Sequence, residues 1–480
     1  MSKKEEKPNV LLILADQHRQ DCLSVYGNPD VISPNLEAIA GDGVVFDAHF
    51  CPYPVCTPSR YSLFSGKYPH EHLGLDNSCT LPGGIETFPR VLKREGYKTA
   101  AVGKMHFTPA YLNIGFDEML LAEQNGPGRF EDDYHKYLKK LNLIDTVDLY
   151  DQCAECRERA PAEYWENFGA LKSNLPQEHH STTWITDRTL EIIDKWGNGN
   201  NLLVTGFIKP HHPFDPPGKY AEIYDKNTLA ILPGYTPEIP EADKKRKYYF
   251  DYDNLDENTL RHVMSMYYST ITQIDDSVGK MVSLLRKKGI YENTMIIYTA
   301  DHGDYMGFHH LLLKGGFMYD PLMKIPLVIK YPDNRRISKH SDLTCTTDLP
   351  EMIFTECGVK TPDSMKIKDN EGYVIAEYFT DSNEYMVRSQ THKLLINGSM
   401  ENIMFFDIKN DPFELKDISG IPENETMINQ FKEILFERFL FSPLTSHKNL
   451  NACTRPHRKY KTGEAEEMKR YIKERSSAEK

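Results

Sequence analysis

The 480-residue sequence contains no apolar run near the ~18 residues that a membrane-spanning helix requires. Its first apolar run, residues 10–15, stops at Asp16, is too short for a signal-peptide core and has no small-residue cleavage site. The sequence therefore reads as cytoplasmic, or as periplasmic if a leader has been removed. It also lacks positive charge in excess: 57 Lys+Arg face 70 Asp+Glu, a formal net charge of −13. That balance excludes a general nucleic-acid or anionic-membrane binder, though not a small cationic pocket within an acidic protein. The nine cysteines are an odd number spread over a long chain, which excludes a disulfide framework. Cys153 and Cys156 form one CxxC with no second pair at zinc-site spacing, so they read as ordinary thiols. What the chain does have is core material. With 40% hydrophobic and 11% aromatic residues, disorder is excluded for most of it, and its length suits one large domain plus an appendage, or two domains.

Several short apolar runs end abruptly in charged or histidine residues. Residues 10–15 lead to Asp16-Gln17-His18, and 99–102 to Gly103-Lys104-Met105-His106. Residues 202–208 lead to Lys209-Pro210-His211-His212, and 295–300 to Asp301-His302-Gly303. Continuous apolar runs suit strands buried on both faces of a parallel sheet. Between them lie helical patterns, clearest over residues 260–288, with Gly289 placed to end that helix. Alternating strands and helices predict a doubly wound α/β fold, whose ligands sit at the carboxyl ends of the strands. One polar strand end is ordinary; four that end in acid/base or metal-ligand types point to one site.

The segment from Cys51 to Gly66 is the most informative. Thr57 suits an N-cap, Pro58 a first helical turn, and Gly66 a helix end. Cys56 then precedes a helix N-terminus, where free N–H groups favour anions, and Arg60 lies within reach of it. The combination describes a poised nucleophile beside an anion site.

Cys56-Thr57-Pro58-Ser59-Arg60 resembles the CxPxR signature of type I sulfatases, members of the alkaline-phosphatase-like superfamily, whose cysteine is oxidised to formylglycine. The resemblance extends to the opening strand with Asp16, to Gly103-Lys104-Met105-His106, to Lys209-Pro210-His211, and to Asp301-His302-Gly303 with Lys314 downstream. It spans residues 8–330 in the family's order.

In that family the formylglycine aldehyde is hydrated to a geminal diol. One hydroxyl attacks the sulfate sulfur and expels the alcohol; the other loses its proton and ejects sulfate. The resemblance makes Cys56 the formylglycine precursor and nucleophile, with Arg60 holding the diol. It has Lys104 contacting diol and sulfate, and His106 accepting the second hydroxyl's proton. His211 protonates the departing alcohol, and Lys314 binds sulfate oxygens. His211 and His212 are adjacent, and the Lys-Pro-His motif selects His211. The implied metal ligands are Asp16, Gln17, Asp301 and His302, together with an oxygen of residue 56. Many relatives have Asp where this chain has Gln17, and Asn where it has His302, so this set is less anionic and softer. Ca²⁺ is expected, ahead of Mn²⁺ or Mg²⁺. Lys209, His309 and Arg388 are candidate substrate contacts. The run at residues 244–247 reads either as a solvated face or as a basic patch that steers a polyanionic glycan.

Beyond residue 330 the pattern changes. A helix begins near Thr346, residues 359–371 read as a linker, and four closely spaced strand-like runs between 373 and 407 suit antiparallel hairpins. A helix follows over residues 425–439, and 459–480 are charged and helix-prone or frayed. The expected division is a catalytic domain over 1–370 and a small α+β domain over 371–480. The implied function is hydrolysis of a sulfate ester of a sulfated carbohydrate, closest in appearance to bacterial glycosaminoglycan sulfatases that act on the 2-O-sulfate of heparin or heparan uronic acids. Its partners would be that saccharide and a formylglycine-generating maturation enzyme, with no nucleic acid and no membrane span. Two rivals stand beside it. A formylglycine-dependent phosphonate or phosphate ester hydrolase would share the Asp-Gln pair but lack Lys104 and His106. A non-catalytic sulfated-glycan binder would result if Cys56 is not matured.

Overall fold

The computed structural model describes residues 7–124, 127–244, 249–334, 338–366, 372–379, 383–441 and 470. Its centre is an eight-stranded sheet. The strands are β1 (Asn9–Asp16), β2 (Val44–Phe46), β3 (Lys98–Gly103), β4 (Glu118–Leu121), β5 (Asn201–Pro210), β6 (Thr294–Ala300), β7 (Leu327–Lys330) and β8 (Ser338–His340). They lie in the order β4-β3-β5-β1-β6-β7-β2-β8. All neighbours run parallel except β7, which opposes both β6 and β2. The doubly wound, mostly parallel α/β architecture expected from the apolar runs is present.

β1 shows why those runs are continuous rather than alternating. Leu11, Ile13 and Ala15 join the core on one face of the sheet, and Val10, Leu12 and Leu14 the core on the other. Burial on both faces leaves no position for a polar side chain until the strand ends. Each fully buried aliphatic contributes about 1.5–3 kcal/mol, so a Leu12→Ala change would cost about 2–5 kcal/mol.

Helices cover the sheet. The cysteine segment forms α1 (Cys56–Ser65), and α2 is Ser181–Asp194. The predicted long helix is α3 (Glu257–Lys287), capped by the Asp256 side chain on the Thr259 N–H at 2.7 Å. Gly289 follows it in the left-handed region, with φ 69°. One local expectation fails. Thr57 does not cap α1, because the helix already starts at Cys56, after an extended Val55. The Thr57 hydroxyl instead donates to the His106 carbonyl at 2.8 Å, tying the helix start to the end of β3. Gly66 ends α1 as expected, in the left-handed conformation.

The C-terminal hairpins are β9 (Val374–Tyr378), β10 (Glu384–Arg388), β11 (His392–Asn397) and β12 (Asn402–Asp407), paired antiparallel in sequence order. Helix α4 (Glu425–Phe441) packs Ile428, Phe431 and Leu435 into the core. The expected boundary at 370/371 and residues 245–247 of the basic run lie outside the described residues. So does 459–480, apart from residue 470. Among the described residues no helix is long and apolar enough to cross a membrane.

Candidate active site

Five segments converge at the carboxyl edge of β1, β3, β5 and β6. β1 ends in Asp16 and turns at Gln17, β3 leads to Lys104 and His106, and β5 leads to His211. β6 leads to Asp301 and His302, and α1 supplies Cys56 and Arg60. Two glycines permit this crowding. At Gly103 (φ 88°) a Cβ would lie 2.0 Å from the Gly206 carbonyl, and at Gly303 it would lie 2.0 Å from the Pro321 carbonyl. Neither place admits a side chain.

Arg60 is fully buried and holds the two carboxylates. Its Nε donates to Asp301 Oδ2 at 2.8 Å and its Nη2 to Asp16 Oδ2 at 2.9 Å, while Nη1 donates to the Lys104 carbonyl. Lys104 Nζ lies 2.8 Å from Asp16 Oδ2 and donates to Gln124 Oε1 at 3.1 Å. Burial alone would raise the Asp16 carboxyl; Lys104, His211, Lys314 and Arg60 outweigh it and hold the group well below the usual range. Burial and the neighbouring Asp16 push Asp301 the other way.

Cys56 lies against the other side of this cluster. Lys314 Nζ is 3.0 Å from its Sγ and 3.3 Å from His302 Nε2, and His302 Nε2 is 3.2 Å from the same sulfur. Burial and Asp16 would raise the thiol, but Lys314, His302 and Lys104 draw it down to about 6. His302 Nδ1 donates to the Gly303 carbonyl at 2.9 Å, so Nε2 is the nitrogen turned toward Lys314 and Cys56.

One ligand atom each from Asp16, Cys56, Asp301 and His302 lie within 4.8 Å of one another. Gln17 adds a fifth candidate: its Oε1 is buried without a hydrogen-bond partner. Two carboxylate oxygens, an imidazole nitrogen, the position-56 side chain and an orphaned amide oxygen fit a divalent cation.

Residues 8–355 match the Sulfatase family. The chain belongs to the sulfatase family. Residues 307–439 match the C-terminal region of N-sulphoglucosamine sulphohydrolase. The chain is 26% identical over 466 residues to an arylsulfatase of Clostridium perfringens, covering 90% of this chain and 94% of that protein. It is 25% identical over 503 residues to an N-acetylglucosamine-6-O-sulfatase of Bacteroides thetaiotaomicron, covering 90% and 87%. Among solved structures, a phosphonate monoester hydrolase of Agrobacterium radiobacter shares the fold with a TM-score of 0.74 at 20% identity, covering 90% of this chain and 96% of that one. Sulfatase kinship over most of the chain makes this protein a sulfuric ester hydrolase.

Around the sulfatase cluster stand the two further histidines. Burial, reinforced by Lys104, draws His106 down to about 3 and keeps it neutral, with its Nδ1 buried and unpartnered. His106 sits at φ 57°, its N–H donating to Glu123 Oε1 at 3.0 Å. His211 Nδ1 donates to the His212 carbonyl at 2.6 Å, so its Nε2 is the nitrogen left for chemistry. Burial, then Lys314 and Lys104, hold His211 well below its ordinary value. His212 is engaged elsewhere, with Nε2 3.1 Å from Asp151 Oδ2.

The three candidate substrate contacts are all committed to internal partners. Lys209 is ion-paired with Asp215 and donates to the Pro213 carbonyl at 2.7 Å. His309 has Asp243 Oδ2 at 3.2 Å on one ring nitrogen and the Phe413 carbonyl at 2.8 Å on the other. Arg388 pairs with Asp320 at 2.9 Å and lies over the Phe50 ring, 4.6 Å from its centroid. Each is 2–6% exposed. The Arg60 guanidinium pairs with Asp16 and Asp301, and Cys56 is among the groups that favour its charge.

Sequence reasoning missed Glu123, Gln124 and Asp304. Glu123 and Gln124 follow the edge strand β4, so the strand-end signal applied to them as well. Gln124 accepts from Lys104 and donates from Nε2 to Asp148 Oδ1 (2.9 Å) and the His212 carbonyl (2.8 Å), which joins two arms of the site.

Proposed function

We propose that this sulfatase hydrolyses the sulfate ester of a glycosaminoglycan fragment, with the 2-O-sulfate of a heparin or heparan uronic acid as its leading substrate. It would act through formylglycine made from Cys56 by a separate maturation enzyme. The reading rests above all on Lys314 standing 3.0 Å from Cys56 Sγ, beside a ligand set that fits a cation. Formylglycine would supply the attacking hydroxyl, and the cation, Ca²⁺ ahead of Mn²⁺ or Mg²⁺, would offset negative charge beside it. Asp16, Gln17, Asp301 and His302 would hold that cation.

Every other role belongs to this chain's side chains. Lys314 and Lys104 bind sulfate oxygens, where fixed positive charge in a water-poor site is worth most. Arg60 keeps both carboxylates in place. His106, neutral and with Nδ1 unspent, takes a proton from the hydroxyl at residue 56. His211 gives a proton from Nε2 to the leaving oxygen. Burial, with Lys314 and Lys104, suppresses its protonation, and a bound sulfate would cancel part of the repulsion from the two lysines.

Phosphonate or phosphate ester hydrolysis is the second reading, resting on the Asp16-Gln17 pair that such enzymes share. Lys104 and His106 weigh for sulfate. The test is a release assay on defined disaccharides carrying one ester each: uronate 2-O-sulfate, glucosamine 6-O-sulfate, and the matching phosphate. The 2-O-sulfate should turn over fastest. Faster 6-O release would move the reaction to the hexosamine, and preferential phosphate release would overturn the sulfate reading.

A further inference from the structure

Resting on the cation-binding reading of the site, we propose that Asp304 is a positioning residue. It turns Gln17 so that an amide oxygen, not an amide nitrogen, faces the cation, and it closes the loop that presents Lys314.

The geometry at Gln17 is unusually determined. Its backbone is in the left-handed region at φ 64°, its N–H donates to Asp301 Oδ1 at 3.0 Å, and its carbonyl accepts from the Tyr267 hydroxyl at 2.7 Å. Its side-chain Nε2 donates to Asp304 Oδ2 at 2.6 Å. Oε1 is then the atom left over, and it is buried without a partner. A carboxylate accepts and cannot donate, so Asp304 permits only this orientation of the amide. The pair also accounts for glutamine at position 17. A carboxylate there would face the carboxylate of Asp304 in a fully buried place.

The other oxygen of Asp304 acts on the loop. Oδ1 accepts from the Met306 N–H at 2.7 Å and the Leu313 N–H at 3.1 Å. Between those two bonds lies a segment in which Met306, His309, His310 and Leu313 all have positive φ. Such a conformation is rarely adopted by bulky residues and persists only where surrounding bonds over-determine it. Tyr305 N–H to Leu313 carbonyl (3.0 Å) and Gly307 N–H to Leu311 carbonyl (2.7 Å) help, and the residue that follows Leu313 is Lys314. One carboxylate thus reaches a candidate cation ligand through one oxygen and the lysine-bearing loop through the other.

A swap of the two groups separates positioning from mere support. Asp304→Asn keeps an acceptor for the loop N–H groups but sets amide against amide, which turns the Gln17 nitrogen toward the cation. Gln17→Glu combined with Asp304→Asn restores one donor and one acceptor with their owners exchanged. The probes are Ca²⁺, Mn²⁺ and Mg²⁺, titrated calorimetrically into the full-length matured protein after chelation, with the unfolding temperature measured alongside. We expect Asp304→Asn to weaken the tightest-bound cation by about 10–100-fold, the range found for groups that orient metal ligands. The double variant should recover most of that loss. Gln17→Met leaves the loop bonds of Asp304 in place but takes the donor from its Oδ2, so it should fold with a lowered unfolding temperature and lose cation affinity, even if Asp304→Asn does not fold. Wild-type affinity in Asp304→Asn, a double variant no better than the single, or wild-type affinity in Gln17→Met would overturn the proposal. A wild-type protein that binds none of the three cations would instead overturn the cation reading on which it rests.

Discussion

Two buried ionic clusters in this sulfatase use similar side chains and end in opposite states. At the sheet edge, Asp16 and Asp301 share Arg60, with Lys104 on Asp16. Where β10 and β11 meet the segment after Lys314, Asp320 pairs with Arg388 at 2.9 Å and with Lys393 at 2.6 Å, and Lys393 pairs with Glu414 at 2.7 Å. The second cluster is closed: two carboxylates meet two cations, Asp320 N–H donates to Glu414 Oε2, and Lys393 also donates to the Met318 carbonyl. The first is open, because Gln17 Oε1 is buried without a partner beside four side chains whose ligand atoms lie within 4.8 Å of one another. A saturated cluster can hold two parts of a fold together, while an unsaturated one has something left to offer a ligand.

The comparison can be broken at either end. Cys56→Ala strikes the open cluster hardest: turnover should fall by about 10⁶-fold, as in other enzymes that lose the nucleophile, with little change in unfolding temperature. His211→Ala should reduce release of an alkyl alcohol by about 10²–10⁴-fold. A phenol, which leaves without a proton, should lose far less; equal losses on both substrates would remove His211 from the acid role.

The closed cluster should answer in stability instead. Lys393→Met leaves Glu414 without its cation and should cost about 3–5 kcal/mol in urea unfolding. Turnover per folded molecule should change far less than in His211→Ala. The smallest expected effect is in pH. Burial opposes ionisation of Asp320, yet Arg388 and Lys393 hold its carboxyl well below the ordinary carboxylate range. Its folded-state value lies below its unfolded one, so its stabilisation is present in full above the unfolded value, near 4. That contribution is lost as pH falls from there toward the folded value. Asp320→Asn should therefore lower stability at pH 7 and flatten the acid limb of a stability-versus-pH curve, whereas an unchanged acid limb would count against the pairing.

The open cluster was legible in the sequence because its members stand where doubly buried strands stop. Asp16, Lys104, His211 and Asp301 each follow an apolar run that tolerates no charge before its end, and the Cys56–Arg60 spacing carries the helix start with it. The closed contacts were not legible. Nothing local to Lys209, His309 or Arg388 says that Asp215, Asp243 and Asp320 arrive from elsewhere in the chain to claim them. Asp304 was hidden for the same reason, since its partners are Gln17, 287 positions away, and two backbone N–H groups. Glu123 and Gln124 were hidden by weakness of signal: β4 is four residues long, only one of them fully buried, so it barely registers as an apolar run. The failed Thr57 cap is of the same kind, a local preference overridden by a bond to the His106 carbonyl.

The measurement that bears most directly on the central claim is the mass of the peptide containing Cys56, from protein produced together with a formylglycine-generating enzyme. The account predicts the mass of the aldehyde or its hydrate at position 56. Unmodified cysteine throughout, in a preparation where a known substrate of the same enzyme is converted, would contradict it.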